Sequence, residues 1–170
     1  AKRGDIGNTA KMYAKAFFEE MDFDAVTIAP YMGADSVTPF LEYKDKWAIV
    51  LALTSNASAY QFQNAVKDGK PLYQAVMEEM MEISTPDNMM FVVGATKADK
   101  LQELRSFCPD NFFLVPGVGA QGGSAEEVIA HGSNDHGGLL INSSRAILFA
   151  DSTEDYAKVA AEVASRTANL

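Results

Sequence analysis

Cysteine is almost missing from the 170 residues, and Cys108 is the one thiol present. A disulfide within these residues is therefore excluded, and the composition suits a reducing, cytoplasmic compartment. The flanking Phe107 and Pro109 indicate a half-buried structural thiol rather than a catalytic one. Long apolar runs are missing too. None approaches the roughly 18 residues of a membrane-spanning helix, so we expect no membrane partner.

Basic residues are in short supply. The sequence has 14 Lys and Arg against 23 Asp and Glu, which gives a net charge of −9. This balance argues against nucleic acid or an anionic membrane surface as a partner. It does not exclude a small anion, because a few local cations and backbone N–H groups can bind one phosphate whatever the global charge.

Histidine is scarce as well. His131 and His136 flank a polar loop in which Asp135 is the one nearby carboxylate. Metal ligation is an alternative, with Asp135 as the one nearby third ligand. A solvated loop is the favoured interpretation, and we expect no metal site.

What the sequence does contain is an alternation of short apolar runs and helical stretches, which is typical of a parallel α/β sheet. Five strands are predicted at residues 25–29, 47–53, 89–93, 112–115 and 138–142. Helices are predicted at residues 8–20, 35–44, 71–83, 97–107 and 153–168, with a further short helix opened by Ser124. The loop and helix ahead of the first predicted strand are placed as if they followed a sixth strand.

Local signals refine these boundaries. Asn8 is predicted to cap the first helix, and Asp35 or Ser36 the second. Asp68-Gly69 signals a tight turn. In the last helix, Tyr156 is expected on the buried side.

Five βα units of fully apolar strands predict a sheet with both faces covered, or a barrel wall. A closed eight-stranded βα barrel typically needs about 250 residues, with about 200 near its lower limit. We therefore predict that residues 1–170 are a single domain and form the C-terminal part of a TIM (β/α)8 barrel, which is incomplete without the N-terminal strands.

Polar and glycine-rich residues fall where the predicted strands end, which is where βα barrels carry their sites. The run from Pro116 to Gly123 contains four glycines that can turn backbone N–H groups toward one point, and Gln121 can donate from its amide. The next strand ends in Ser144 and Arg145, and a guanidinium pairs with phosphate through two hydrogen bonds. Tight turns and a surface cation are the alternative. The two loops together favour a phosphate site.

Lys2 and Asp5 lie three residues apart ahead of the first helix. A charged lysine can act as a general acid or stabilise a carbanion. From the spacing alone, a solvated charge pair is the better interpretation.

The sequence Lys-Arg-Gly-Asp-Ile-Gly-Asn-Thr at residues 2–9 resembles the Asp-x-Lys-x-x-Asp-Ile-x-x-Thr signature of the orotidine 5′-phosphate decarboxylase family. The resemblance continues, in the family's order, through residues 24–36, 54–56, 116–123 and 142–145. It covers nearly the whole chain and is strongest with the longer bacterial branch.

The resemblance implies a homodimeric βα barrel that converts orotidine 5′-phosphate to UMP in pyrimidine biosynthesis, without metal or organic cofactor. Lys2 would protonate C6 of the pyrimidine as carbon dioxide leaves. Asp5, Ile6 and Thr9 would act in the neighbouring subunit's site. The remaining implied substrate contacts are Ser55 and Pro116 at the base and Gln121, Ser144 and Arg145 at the phosphate.

Two departures from the family pattern stand out. The first aspartate of the signature would precede Ala1, and Asn56-Ala57-Ser58 stands where this branch commonly has Asn-Pro-Gly. We therefore expect an N-terminally truncated chain that is inactive alone. Two other functions stay open: a metal-dependent sugar-phosphate aldolase of the related hexulose-phosphate synthase group, and a non-catalytic fragment that binds phosphate or dimerises.

Overall fold

Six parallel strands form the central sheet. The computed structural model describes residues 2–94, 98–118 and 123–169. The sheet strands are β1 (Lys2–Arg3), β2 (Ala25–Ile28), β3 (Trp47–Leu53), β6 (Met89–Val93), β7 (Phe113–Pro116) and β8 (Leu139–Asn142). They lie side by side in chain order. A separate antiparallel hairpin, formed by β4 (Val66–Lys67) and β5 (Lys70–Pro71), occurs in the chain between β3 and β6 and does not join this sheet. A parallel sheet in sequence order is what successive βα units produce.

Helices connect the strands. They are α1 (Gly7–Lys15), α2 (Thr38–Leu41), α3 (Leu72–Glu82), α4 (Ala98–Phe107), α5 (Ala125–Gly132), α6 (Arg145–Leu148) and α7 (Tyr156–Ala168). A π-helical turn, Ala16–Glu20, extends α1, and 3₁₀ turns occupy Pro30–Met32, Ala34–Ser36 and Ala57–Gln61. The predicted helix at 97–107 corresponds to α4, and the predicted strands at 47–53 and 89–93 have the observed bounds.

Two local predictions are confirmed by backbone geometry. Asp68 and Gly69 have φ angles of +53° and +83°, and they join β4 to β5 as a turn of two left-handed residues does. Ser124 caps α5, because its hydroxyl accepts a hydrogen bond from the Glu127 N–H at 3.2 Å.

Other boundary predictions were wrong. Ile6, not Asn8, is the N-cap of α1, since the helix begins at Gly7 and no side chain caps it. The predicted helix at 35–44 is shorter, and Ser36 does not cap it. The Ser36 hydroxyl instead donates to the Gly33 carbonyl at 2.6 Å within a 3₁₀ turn. Tyr156 is 60% exposed, because α7 packs mainly on α6 rather than on the sheet.

The two faces of the sheet have different surroundings. One alternate set of strand residues belongs to the core that the helices cover, and it includes Val26, Ile28, Ala48, Val50, Met89, Phe91, Phe113 and Val115. The other set lies outside that core, and it includes Thr27, Ile49, Leu51, Met90, Val92 and Leu114. Lys2 pairs in register with Thr27, which pairs with Ile49. Since paired residues in a sheet share a face, Lys2 lies on the face away from the helices.

Candidate active site at the carboxyl ends of the strands

Lys2 and Asp5 lie at the carboxyl end of β1. Lys2 is exposed, and the neighbouring Arg3 carbonyl accepts a hydrogen bond from the Ala29 N–H at 2.8 Å, which fixes β1 against β2. The Asp5 carboxylate is half-buried and accepts the Ile6 N–H at 2.8 Å. The two charged groups are therefore held by different elements: Lys2 by the strand, and Asp5 by the turn into α1.

Arg3 points the opposite way and joins β1 to α1. Its guanidinium carbon lies 5.5 Å from the ring centroids of both Tyr13 and Phe17. A cation within about 6 Å of an aromatic face is attracted to it. Arg3 also donates to the Lys2 carbonyl at 3.0 Å. Sequence reasoning missed Arg3, because residues 2–3 are predicted to lie in a loop rather than in a strand.

Ile6 and Thr9 lie at the start of α1 and are exposed. Ile6 is 53% exposed and Met12, two turns into the helix, is 50% exposed. Neither Ile6 nor Thr9 contributes to the core of this chain. Their position leaves both side chains accessible to another molecule.

Ser55 follows β3 and packs against the end of β6. The Gly94 N–H donates to the Leu53 carbonyl at 2.8 Å. A Cβ at position 94 would lie 2.8 Å from the Ser55 Cβ and 2.9 Å from its backbone nitrogen. Such a contact is closer than real Cβ atoms tolerate, so glycine at position 94 is required by the position of Ser55.

The loops after β7 and β8 meet. Pro116 pairs in register with Asn142, and the Ser143 hydroxyl donates to the Val118 carbonyl at 3.2 Å. Val118 also forms a bridge with Gly123, which closes the base of the glycine-rich loop. Gln121 and its neighbours at 119–122 lie outside the described residues. The described ends of this loop thus adjoin the loop that carries Ser144 and Arg145.

Ser144 and Arg145 start α6. The Ser144 hydroxyl donates to the Asn142 side-chain carbonyl at 3.3 Å, and Arg145 is exposed. The N-terminus of α5 lies on the adjacent unit, but its first turn carries Glu126, which accepts a 2.7 Å hydrogen bond from Ser124. That bond and the helix N-terminus both favour the charged carboxylate, and the pKa of Glu126 is lowered. The cation available to an anionic ligand here is Arg145.

The histidine loop is held by its own hydrogen bonds. The His136 N–H donates to the Asn134 side chain at 3.0 Å, and Asn134 donates to the Pro109 carbonyl at 2.9 Å. Within the described ranges, no group of three or more His, Cys, Asp or Glu side chains is arranged to hold a metal ion. Over the same residues, no helix combines the length and apolar character that crossing a membrane requires.

These features define a class of protein: a parallel βα fold of the TIM-barrel type, whose polar residues gather at the carboxyl ends of its strands. Residues 1–160 match the sequence model described as the orotidine 5′-phosphate decarboxylase / HUMPS family. The chain belongs to this family.

Named relatives agree with the match. The orotidine 5′-phosphate decarboxylase of Phocaeicola vulgatus is 54% identical over 167 residues, covering 98% of this chain and 61% of the relative. That of Flavobacterium johnsoniae is 55% identical over 164 residues, covering 96% of this chain and 60% of the relative.

Among solved structures, the OMP decarboxylase of Leishmania donovani superposes with a TM-score of 0.85 at 36% identity. The superposition covers 99% of this chain and 66% of that one. The expected α/β fold with a parallel sheet is therefore confirmed, and the chain corresponds to part of a barrel. It spans 61% of the Phocaeicola relative's length.

Proposed function

We propose that the protein of which this chain forms a part decarboxylates orotidine 5′-phosphate to UMP. The observation that carries the proposal is the position of Lys2, Ser55, Pro116 and Arg145. Each lies at or just beyond the carboxyl end of a strand of one parallel sheet. In barrels of this kind, substrate binds at that end. Family membership supplies the reaction that fits a lysine and a phosphate-binding cation on the same rim.

In the proposed reaction, the bond between C6 and the carboxylate breaks and its electron pair stays on C6. The Lys2 ammonium stabilises this developing carbanion and then transfers one N–H proton to C6. Among the described residues, Lys2 lies on the sheet face whose strand residues stay outside the helix-packed core, and it is exposed, so its ammonium is accessible to a ligand above the sheet. The partner's Asp5 would stand beside the departing carboxylate. The bond from the Ile6 N–H to Asp5 keeps that carboxylate oriented.

The other proposed contacts bind two parts of the substrate, the pyrimidine and the phosphate. Ser55 and Pro116 would face the pyrimidine. Arg145, the Ser144 backbone N–H and Gln121 would hold the phosphate. Binding energy from a phosphate remote from C6 can then organise the reacting groups. The hydrogen bond from Ser143 to Val118 supports this assignment, because it holds the two phosphate loops side by side.

We also propose that the protein is a homodimer, in which Asp5, Ile6 and Thr9 reach the partner's site. Large apolar side chains are exposed in the segments after β1, β2 and β3, and a partner could cover them. They are Ile6 (53%), Met12 (50%), Tyr31 (91%), Tyr60 (65%) and Phe62 (70%). Exposed patches of this kind commonly mark protein interfaces. A cytoplasmic location remains a prediction.

The proposal can be tested with two proteins. One is the 170-residue chain alone, which we expect to be inactive. The other is a chimaera in which the N-terminal region of the Phocaeicola vulgatus relative is joined ahead of Ala1. We expect the chimaera to consume orotidine 5′-phosphate, measured as a fall in its absorbance, with or without EDTA. Turnover of a sugar phosphate that EDTA abolishes would instead identify an aldolase, and turnover by the chain alone would contradict the expected inactivity.

Lys2→Ala in the chimaera tests the proton donor. General acid catalysis contributes about 10²- to 10⁴-fold, so kcat should fall by at least that range while UMP still binds. Lys11→Ala is the matched control, because Lys11 is an exposed lysine on α1. Undiminished turnover in Lys2→Ala would show that the role assigned to Lys2 is wrong.

A further inference from the structure

Gln63 holds the loop that follows β3. Its side-chain carbonyl accepts the Thr54 N–H at 2.8 Å, and its amide nitrogen donates to the Thr54 hydroxyl at 2.8 Å. The Thr54 hydroxyl donates in turn to the Asn56 side chain at 2.6 Å. One glutamine therefore holds the N–H and the hydroxyl of Thr54, the residue that immediately precedes Ser55.

Gly94 packs closely against Ser55. A Cβ at position 94 would come within 2.8 Å of the Ser55 Cβ, so the two backbones are already in close contact. Ser55 thus contacts the backbone at the end of β6 and directly follows Thr54, which Gln63 holds.

Gln63 is itself fixed to the scaffold. Its backbone carbonyl accepts the Tyr73 N–H at 3.0 Å, and Tyr73 is 3% exposed in α3. Gln63 is half-buried, whereas Phe62 beside it is 70% exposed and Tyr60 is 65% exposed. The glutamine therefore connects a buried helix and an exposed apolar segment to the end of β3.

We propose that Gln63 is a positioning residue that sets the orientation of Ser55 toward the pyrimidine ring. The proposal rests on the function assigned to Ser55 above and adds the group that controls it. A serine that reads one edge of a base must keep a fixed hydrogen-bond geometry, because hydrogen bonds weaken steeply with misalignment. Gln63 makes no contact with substrate in this assignment and acts through Thr54.

The test is Gln63→Met in the chimaera, which keeps the length of the side chain and removes both hydrogen bonds. UMP and ribose 5-phosphate are the probes, because only UMP carries the pyrimidine. We expect affinity for UMP to fall about tenfold, the scale of a lost buried hydrogen bond. Affinity for ribose 5-phosphate should stay unchanged. Gln102→Met, at an exposed glutamine on α4, is the matched control and should alter neither.

A double-mutant cycle separates positioning from simple destabilisation. If Gln63 acts through Ser55, Gln63→Met combined with Ser55→Ala should weaken UMP binding no more than Ser55→Ala alone. Fully additive effects, an equal loss for both probes, or unchanged UMP affinity in Gln63→Met would each overturn the positioning role. An unmutated chimaera that fails to turn over orotidine 5′-phosphate would instead contradict the proposed function.

Discussion

Among the side chains on α4, Arg105 should be the one whose replacement lowers the free energy of unfolding most. Its guanidinium donates to five backbone carbonyls, at 2.7 to 3.0 Å. The acceptors lie at the ends of α4 and α5, ahead of β7 and ahead of β8, and they are Cys108, Pro109, Asn111, Gly132 and Gly138. The guanidinium carbon also lies 4.0 Å from the Phe113 ring centroid. One side chain thus joins two βα units at the amino ends of their strands.

The expected cost follows from the donors available. The guanidinium reaches these carbonyls from three nitrogens, and the two N–H groups of Nη1 are shared among three acceptors. Lysine places its three N–H donors on one nitrogen, so Arg105→Lys leaves about two of the carbonyls without their partner. At about 1 kcal/mol for each hydrogen bond, the loss is about 2 kcal/mol. Lost stacking on Phe113 adds about 0.5–1 kcal/mol. We expect Arg105→Lys to lower the free energy of unfolding by about 2.5 kcal/mol, because water reaches this half-buried site and replaces some of the lost bonds.

Urea unfolding of the chimaera, monitored by circular dichroism, measures this change in the free energy of unfolding. With an m-value of about 1–3 kcal/mol/M, the midpoint should fall by about 1 M or more. Arg166→Lys is the control, because Arg166 is exposed on α7 and should change stability by less than about 0.5 kcal/mol. A change that small in Arg105→Lys would show that the five carbonyls are satisfied without the guanidinium and that the reasoning is wrong.

Two further predictions concern Cys108 and Gly94. Burial raises the pKa of the Cys108 thiol to about 11 from its ordinary value of 9.0, so the native thiol should resist disulfide reagents at pH 8 and react once urea unfolds the protein. Because the folded pKa is the higher one, ionisation of the thiol does not lower the free energy of unfolding below about pH 9. That free energy falls as the pH rises to about 11. Cys108→Ala should remove that part of the pH dependence, and an unchanged alkaline slope would contradict it. Gly94→Ala should weaken UMP binding about tenfold by displacing Ser55, measured by calorimetry, and unchanged affinity would contradict the close packing.

Much of the fold could be predicted from the sequence because its signals are local. The apolar runs at 47–53 and 89–93 became strands with those bounds. Ser124 and Glu127 became a helix cap because a cap needs only residues three apart. Asn8 failed as a cap because the helix begins at Gly7, and Ile6 precedes it without a capping side chain. The sequence rule looks for a capping side chain, and this helix has none.

The residues that sequence reasoning missed are those whose partners are distant in the chain. Arg105 contacts carbonyls 27 and 33 residues away, at Gly132 and Gly138. Gln63 contacts Thr54, nine residues away, in a segment for which no helix or strand is predicted. No periodicity or spacing rule connects such pairs. Arg145, by contrast, could be singled out because strand ends in a parallel sheet share one rim. Lys2 was assigned its role through the resemblance to the family signature.

The separation of Lys2 from Arg145 shows what the proposed site demands of the fold. β1 and β8 are the first and last strands of the six-stranded order, so five interstrand spacings separate them. At about 4.8 Å each, the path along the sheet is about 24 Å. A nucleotide joins its phosphate to its base through a single sugar, so one substrate can contact both edges only if the sheet curves and brings them toward each other. Barrel closure supplies that curvature. The proposed proton donor and the proposed phosphate cation therefore depend on closure together. Ser55 follows an interior strand of the sheet, and its proposed role depends first on Gln63 and Gly94.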